Sequence, residues 1–201
     1  MLQSKPITVF LVQFTLIFLI LAVPWPGWNK AYGVYFRALG RTIFTDSPVR
    51  ELNFETAEEN GKPQEYTRIV IVNRARMHAD GSGPVQNLDL EASGFWRPTA
   101  LLVALILSTS IPWRRRLWAL FFGLFWIHLI LILFLGFCIW NESTEIGLVA
   151  LSPFMKLFCN GFKEALLAQF SITIPVTVWV LVAFHRGDIR RHGEKTAGLS
   201  A

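Results

Sequence analysis

Hydrophobic positions fall into four long blocks separated by stretches of mixed polarity. Residues 7–23, ITVFLVQFTLIFLILAV, contain no charged side chain. A second block covers 99–113, a third 117–140 and a fourth 165–184, the last with a kink predicted at Pro175. About 20 apolar residues are needed to cross ~30 Å of hydrocarbon. The pattern therefore predicts four transmembrane helices, the first two at the short end of that range. Ser108, Thr109 and Ser110, near the end of the second block, are tolerated because hydroxyls bond to carbonyls one turn earlier. The first block competes with a signal peptide, Lys5 supplying a charged leader. Its length, and the Pro24-Trp25-Pro26-Gly27-Trp28 that follows in place of a small-x-small site, favour a retained helix.

Residues 24–98 read differently. Nine Lys/Arg and nine Asp/Glu are interspersed there, the surface of a small water-facing domain. Ala31–Ile43 predicts a short amphipathic helix through Tyr32, Tyr35, Phe36 and Leu39. Val49–Thr56, Tyr66–Asn73 and Val85–Leu90 predict three strands. Turn chemistry separates them at Glu59–Pro63 and Asp80–Pro84, so a three-stranded antiparallel sheet is expected. Residues 141–164 predict an interfacial helix interrupted at Pro153, with a re-entrant segment as the alternative. Residues 185–201 form a basic tail.

Composition sharpens this picture. Of 201 residues, 53% are hydrophobic and 16% charged, where soluble domains average about a quarter charged. The net charge of +5 comes without a nucleic-acid motif or a basic stripe away from the membrane-flanking positions, so no nucleic-acid partner is expected. Lys5, Arg114–Arg116 and the tail cations Arg186, Arg190, Arg191 and Lys195 all fall on one side of a four-span arrangement. The positive-inside rule makes that side cytoplasmic. The expectation is thus a mainly α membrane protein of the bacterial inner membrane. It has four transmembrane helices, both termini cytoplasmic, and a small β-containing extracytoplasmic domain between helices 1 and 2. The lipid bilayer and a membrane-protein partner are its expected contacts.

Candidate chemistry is sparse. His128 lies mid-way along the third block, where an ionisable group suggests proton transfer or ligation. No Asp, Glu, Lys or Arg lies inside a block to join it, and a neutral imidazole bonded to Ser108, Thr109 or Gln169 is the plainer reading. Haem ligation needs a second axial residue at matching depth, which His78, His185 and His192 do not supply. Cys138 lies ten residues from His128, ~15 Å along one helix, so those two cannot meet. Cys159, near Lys156 and Lys163, is the other candidate nucleophile, against a buried small residue. The two cysteines are either an extracytoplasmic disulfide or two unpaired thiols, the latter preferred. Arg114, Arg115 and Arg116 mark a membrane surface, either fixing topology or also contacting anionic headgroups. Trp96, Trp113, Trp118 and Trp140 read as interfacial anchors. Asn141-Glu142-Ser143 fits a glycosylation pattern but lacks any sign of the setting it needs. No GxGxxG, Walker A, HExxH or repeat occurs, and no cofactor or metal is expected.

Residues 92–136, ASGFWRPTALLVALILSTSIPWRRRLWALFFGLFWIHLILILFLG, resemble the paired-helix centre of exosortases and their companion membrane proteins. The likeness lies in a short motif ahead of a helix, a Pro-Trp-Arg turn and a Leu/Gly-rich helix after it. The family carries a catalytic Cys in the first motif and an Arg in the second helix. Here those places hold Ser93-Gly94-Phe95 and Ile127-His128-Leu129, so peptidase chemistry does not carry over. The resemblance implies a non-catalytic, exosortase-associated protein. The expected function is a non-enzymatic accessory subunit of an inner-membrane protein-sorting system. The alternatives are a membrane enzyme using Cys159 or His128 and a structural subunit of an energy-transducing complex.

Overall fold

A computed structural model of the chain describes residues 4–23, 28–59, 62–78, 83–91 and 93–184. In order, these form α1 (Ser4–Ala22), α2 (Trp28–Ile43), β1 (Arg50–Glu59), β2 (Lys62–Asn73) and a 3-10 turn at Arg74–Arg76. Then come β3 (Val85–Glu91), α3 (Ser93–Ser108), α4 (Trp113–Glu145), α5 (Pro153–Phe170) and α6 (Thr173–Ala183).

The expected four-span architecture is not what forms. Among the described residues one helix, α4, is long and apolar enough to cross a membrane; the apolar helices Ile7–Ala22, Gly94–Ser108 and Thr173–Ala183 are shorter. The physical reasons are local. At the end of α3, Ser108 and Thr109 donate their hydroxyls back to Ala104 O (2.6 Å) and Leu105 O (2.7 Å). Pro112, just beyond, has no N–H to continue the ladder, which leaves α3 at 16 residues, ~24 Å. The predicted span 165–184 breaks at Ser171-Ile172, its first part completing α5 and its second forming the 11-residue α6. Pro175 does not kink a long helix. It lies in the first turn of α6, where a missing N–H costs nothing.

The 141–164 segment is also reorganised. α4 continues through Asn141–Glu145 and ends in a Schellman motif, with Gly147 at φ 70°. Gly147 N–H bonds to Thr144 O (3.1 Å) and Leu148 N–H to Ser143 O (3.0 Å). Pro153 does not interrupt a helix but begins α5. Ser152 caps that start, its Oγ accepting from Met155 N–H (3.3 Å). The tail 185–201 and the Pro24–Gly27 stretch lie outside the described residues.

The chain divides into two compact units: Met1–Val23, Arg97–His128 and Phe170–Ala201 in the first, Pro24–Trp96 and Leu129–Gln169 in the second. α4 thus gives its first half to one and its second half to the other.

The second unit contains the expected sheet, antiparallel, in the order β1-β2-β3. The registers pair Phe54 with Ile69 and Ile69 with Leu88. Alternation directs Leu52, Phe54, Ile69, Ile71, Leu88 and Leu90 into the core. α2 closes this face, with Phe36 stacked on Phe95 (4.7 Å between centroids) and Phe95 tilted against Phe134 of α4 (6.4 Å). Arg37 donates to Thr67 Oγ1 (3.4 Å) and Arg41 to Phe54 O. Burial, then the neighbouring Arg41, lowers the pKa of Arg37. On the outer face Arg68 grips Asp89 through two hydrogen bonds (2.8 and 2.9 Å), which holds the Asp89 carboxyl below its ordinary pKa.

In the first unit, Leu102 and Ile106 of α3 are fully buried, along with Ala119 and Ile127 of α4. Gly123 lets the helices approach: a Cβ there would lie 3.0 Å from Ile106 and 3.3 Å from Leu102.

Candidate functional site

In the first unit the candidate region is the α3–α4 turn. The three arginines have separate roles. Arg116 donates to Thr109 O at the end of α3 (3.0 Å) and stacks over the Trp113 ring at 5.6 Å. Its buried Nε has no hydrogen-bond partner among the described residues. Arg115 reaches α6, donating to Ala183 O (2.9 Å). Both guanidiniums therefore donate to carbonyls at helix C-terminal ends, Thr109 O also accepting from Ile111 N–H (2.9 Å). Trp179 of α6 ties into the same turn through Nε1–H to Thr109 Oγ1 (2.8 Å). Arg114 is exposed and heads an open groove of about 460 Å³ lined by Leu117, Trp118 and Phe121. These positions share one helix face by their three- and four-residue spacing. Arg116→Ala is expected to lower stability by about 1–2 kcal/mol, from one charged hydrogen bond and one cation–π contact. Arg114→Ala is expected to stay within about 0.5 kcal/mol. Thermal unfolding in detergent followed by circular dichroism checks both.

His128 belongs to this unit as well. Its Nδ1 lies 2.7 Å from Leu124 O on the same helix; a carbonyl only accepts, so Nδ1 carries the proton. That geometry is a polar side chain returning its bond to its own helix. Of the expected partners, Ser108 and Thr109 donate their hydroxyls within α3, and the Gln169 side chain is outside the described set.

In the second unit the polar residues gather where the sheet meets the end of α4. Asn73 and Gln86 stand on the inward face of β2 and β3. Asn73 Nδ2 donates to Ile146 O (2.9 Å), and Gln86 Nε2 to Glu142 Oε2 (3.0 Å). Glu142 Oε1 takes Lys163 Nζ of α5 at 2.8 Å, the two side chains being 12% and 24% exposed. Beside this pair the buried Asn141 Oδ1 has no partner among the described residues. A general base needs an available oxygen, but both Glu142 oxygens are taken by protein donors. The arrangement braces β3, α4 and α5 together. Asn141 is buried, which removes the glycosylation reading on steric grounds.

Cys138 and Cys159 are both buried, free thiols. Lys156 and Lys163, the cations that would activate Cys159, are committed to Glu145 and Glu142 at 2.8 Å each. Neither cysteine has the electropositive, partly exposed setting of a nucleophile. Among the described residues no group of three or more His, Cys, Asp or Glu could hold a metal ion. The expected tryptophan anchors separate too. Trp113 and Trp118 are exposed and Trp140 lies at the margin, whereas Trp96 is buried and donates Nε1–H to Asn29 Oδ1 (2.8 Å).

The Glu142–Lys163–Gln86 brace was not legible in the sequence. The available signal was the polar run Asn141–Glu145 continuing in helical phase after an apolar helix. Assigning it to a separate interfacial helix over 141–164, rather than to the end of the apolar helix, hid the brace.

The chain matches no protein-family model, no curated protein and no solved structure.

Proposed function

We propose that this chain is a non-enzymatic, membrane-anchored accessory protein of a bacterial inner-membrane system, of the exosortase-associated kind. One observation carries the membrane reading. The first half of α4 turns Trp113, Leu117, Trp118, Phe121, Phe122, Phe125 and Trp126 outward, with Trp118 62% and Phe121 61% exposed. An apolar window of this helix is only 39% buried within the protein, so α4 is not a core helix. Water does not tolerate a contiguous aromatic face of this extent. In this reading α4 is the anchor. Its Arg114–Arg116 end faces the cytoplasm by the positive-inside rule. The opposite end, with the sheet packed beside it, faces away from the cytoplasm. The sides assigned to the two termini depend on four crossings and do not follow from one.

The non-enzymatic reading is supported by the chemistry of the candidates. His128 bonds to its own helix, Cys159 is 1% exposed, and both Glu142 oxygens are occupied. The sheet, presenting charged and β-branched side chains on its outer face, is the surface that contacts the partner.

Two measurements test this. After alkaline carbonate treatment of membranes, the chain is expected in the pellet; release to the supernatant overturns the membrane reading. Affinity purification in mild detergent is expected to bring down a larger membrane protein in stoichiometric amount. Recovery of the chain alone overturns the accessory reading.

A further inference from the structure

The first compact unit has an unusual charge balance. Its described segments, 4–23, 97–128 and 170–184, contain Lys5, Arg97, Arg114, Arg115 and Arg116 but no Asp or Glu. Over the whole unit, the tail included, Lys and Arg outnumber Asp and Glu nine to two. Arg115 and Arg116 turn inward, each donating to a carbonyl at a helix end. Arg114 turns outward instead. It stands at the head of the groove formed with Leu117, Trp118 and Phe121, which runs onto the aromatic face of α4.

We propose that this groove binds an anionic phospholipid, with the Arg114 guanidinium on the headgroup phosphate and an acyl chain along Leu117, Trp118 and Phe121. The inference rests on the membrane reading and names the lipid that reading does not. A planar guanidinium matches a phosphodiester through two parallel hydrogen bonds. Seven residues separate Arg114 from Phe121, ~10 Å along the helix. That is the depth from the phosphate level to the first part of the acyl chains. Trp118, between them, sits where indoles partition, at the headgroup boundary. The charge of Arg114 at the headgroup level selects an anionic over a zwitterionic lipid.

The test uses the full chain in vesicles of phosphatidylcholine doped with acyl-brominated lipid, read by quenching of tryptophan fluorescence. Brominated phosphatidylglycerol is expected to reach half-maximal quenching at a roughly fivefold lower mole fraction than brominated phosphatidylcholine, the size of effect one basic side chain has at an anionic surface. Arg114→Gln is expected to bring that ratio close to one. Lys156→Gln, which removes the same charge from the other unit, is expected to leave it unchanged. Equal quenching by both lipids in the unaltered chain overturns the inference while the membrane reading stands. No quenching by either lipid, with the chain remaining in the aqueous phase, overturns both. A preference that survives Arg114→Gln overturns the assignment to this groove. If glycerol phosphate in solution abolishes the preference, the ligand is a soluble phosphate, and the lipid proposal is overturned. If Arg114→Gln instead changes the mass of the particle, the occupant is a second copy of the chain, which likewise overturns it.

Discussion

Replacing Glu142 by alanine is expected to cost about 3 kcal/mol, lowering the unfolding temperature by roughly 6–12 °C for a chain of this size. The side chain accepts from Lys163 of α5 and Gln86 of β3 at 2.8 and 3.0 Å, and it is 12% exposed. Removing it leaves a mostly desolvated ammonium without its counter-charge and a Gln86 amide without an acceptor. The unmatched charge, rather than the lost attraction, dominates the cost. The double variant Glu142→Leu with Lys163→Met is expected to recover most of the stability, because apolar groups of similar size need no partner. Thermal unfolding of the single and double variants in one detergent forms the cycle. A Glu142→Ala variant within about 0.5 kcal/mol of the parent would show that the pair does not hold these elements together.

Gly40→Ala is the second large effect, with an expected loss of about 2–3 kcal/mol. Gly40 lies on α2 over the Phe54 ring. A Cβ built there would stand 2.7 Å from Cδ1 and 2.9 Å from Cζ, well inside the ~3.5–4.0 Å of a carbon contact. Phe54 is fully buried and cannot rotate away. On helix propensity alone, alanine would stabilise an exposed helix by about 1 kcal/mol, so the steric and intrinsic effects have opposite signs here. Phe54→Leu in the same chain removes the obstructing ring atoms. The double variant is therefore expected to be more stable than the sum of the two single losses. Additive losses, measured by chemical unfolding, would show that α2 shifts to accommodate the methyl group and that the close approach is not required.

Much of the second unit was readable from periodicity. The alternation in Tyr66–Asn73 and Val85–Leu90 corresponds to strands whose inward residues, Ile69, Ile71, Leu88 and Leu90, make the core. Ala31–Ile43 reads as a helix because its apolar positions recur every three to four residues, and α2 forms there from Trp28 to Ile43. Apolar length proved a poor guide to helix continuity. Residues 165–184 are apolar enough to be read as one span, yet the chain turns at Ser171-Ile172. Hydropathy does not register a break between two apolar helices. The charged residues were harder still. Arg114, Arg115 and Arg116 are identical in sequence, and only the positions of Thr109 O and Ala183 O distinguish the two that cap helices from the one that faces outward.

The sequence by itself determined the local elements of the second unit, the position of the α3–α4 turn and the strongly apolar character of α4. These depend on side-chain period, proline and charge, which are properties of neighbours along the chain. Only the tertiary structure decided how many of the described helices are long enough to cross a membrane, which of three adjacent arginines faces outward, and that Glu142 is braced rather than poised. The last two depend on groups far apart in sequence. Glu142 and Lys163 are 21 residues apart, Gln86 and Glu142 56, and Arg115 and Ala183 68. No local pattern encodes such distances, because a hydrogen bond is set by where the fold brings its two ends.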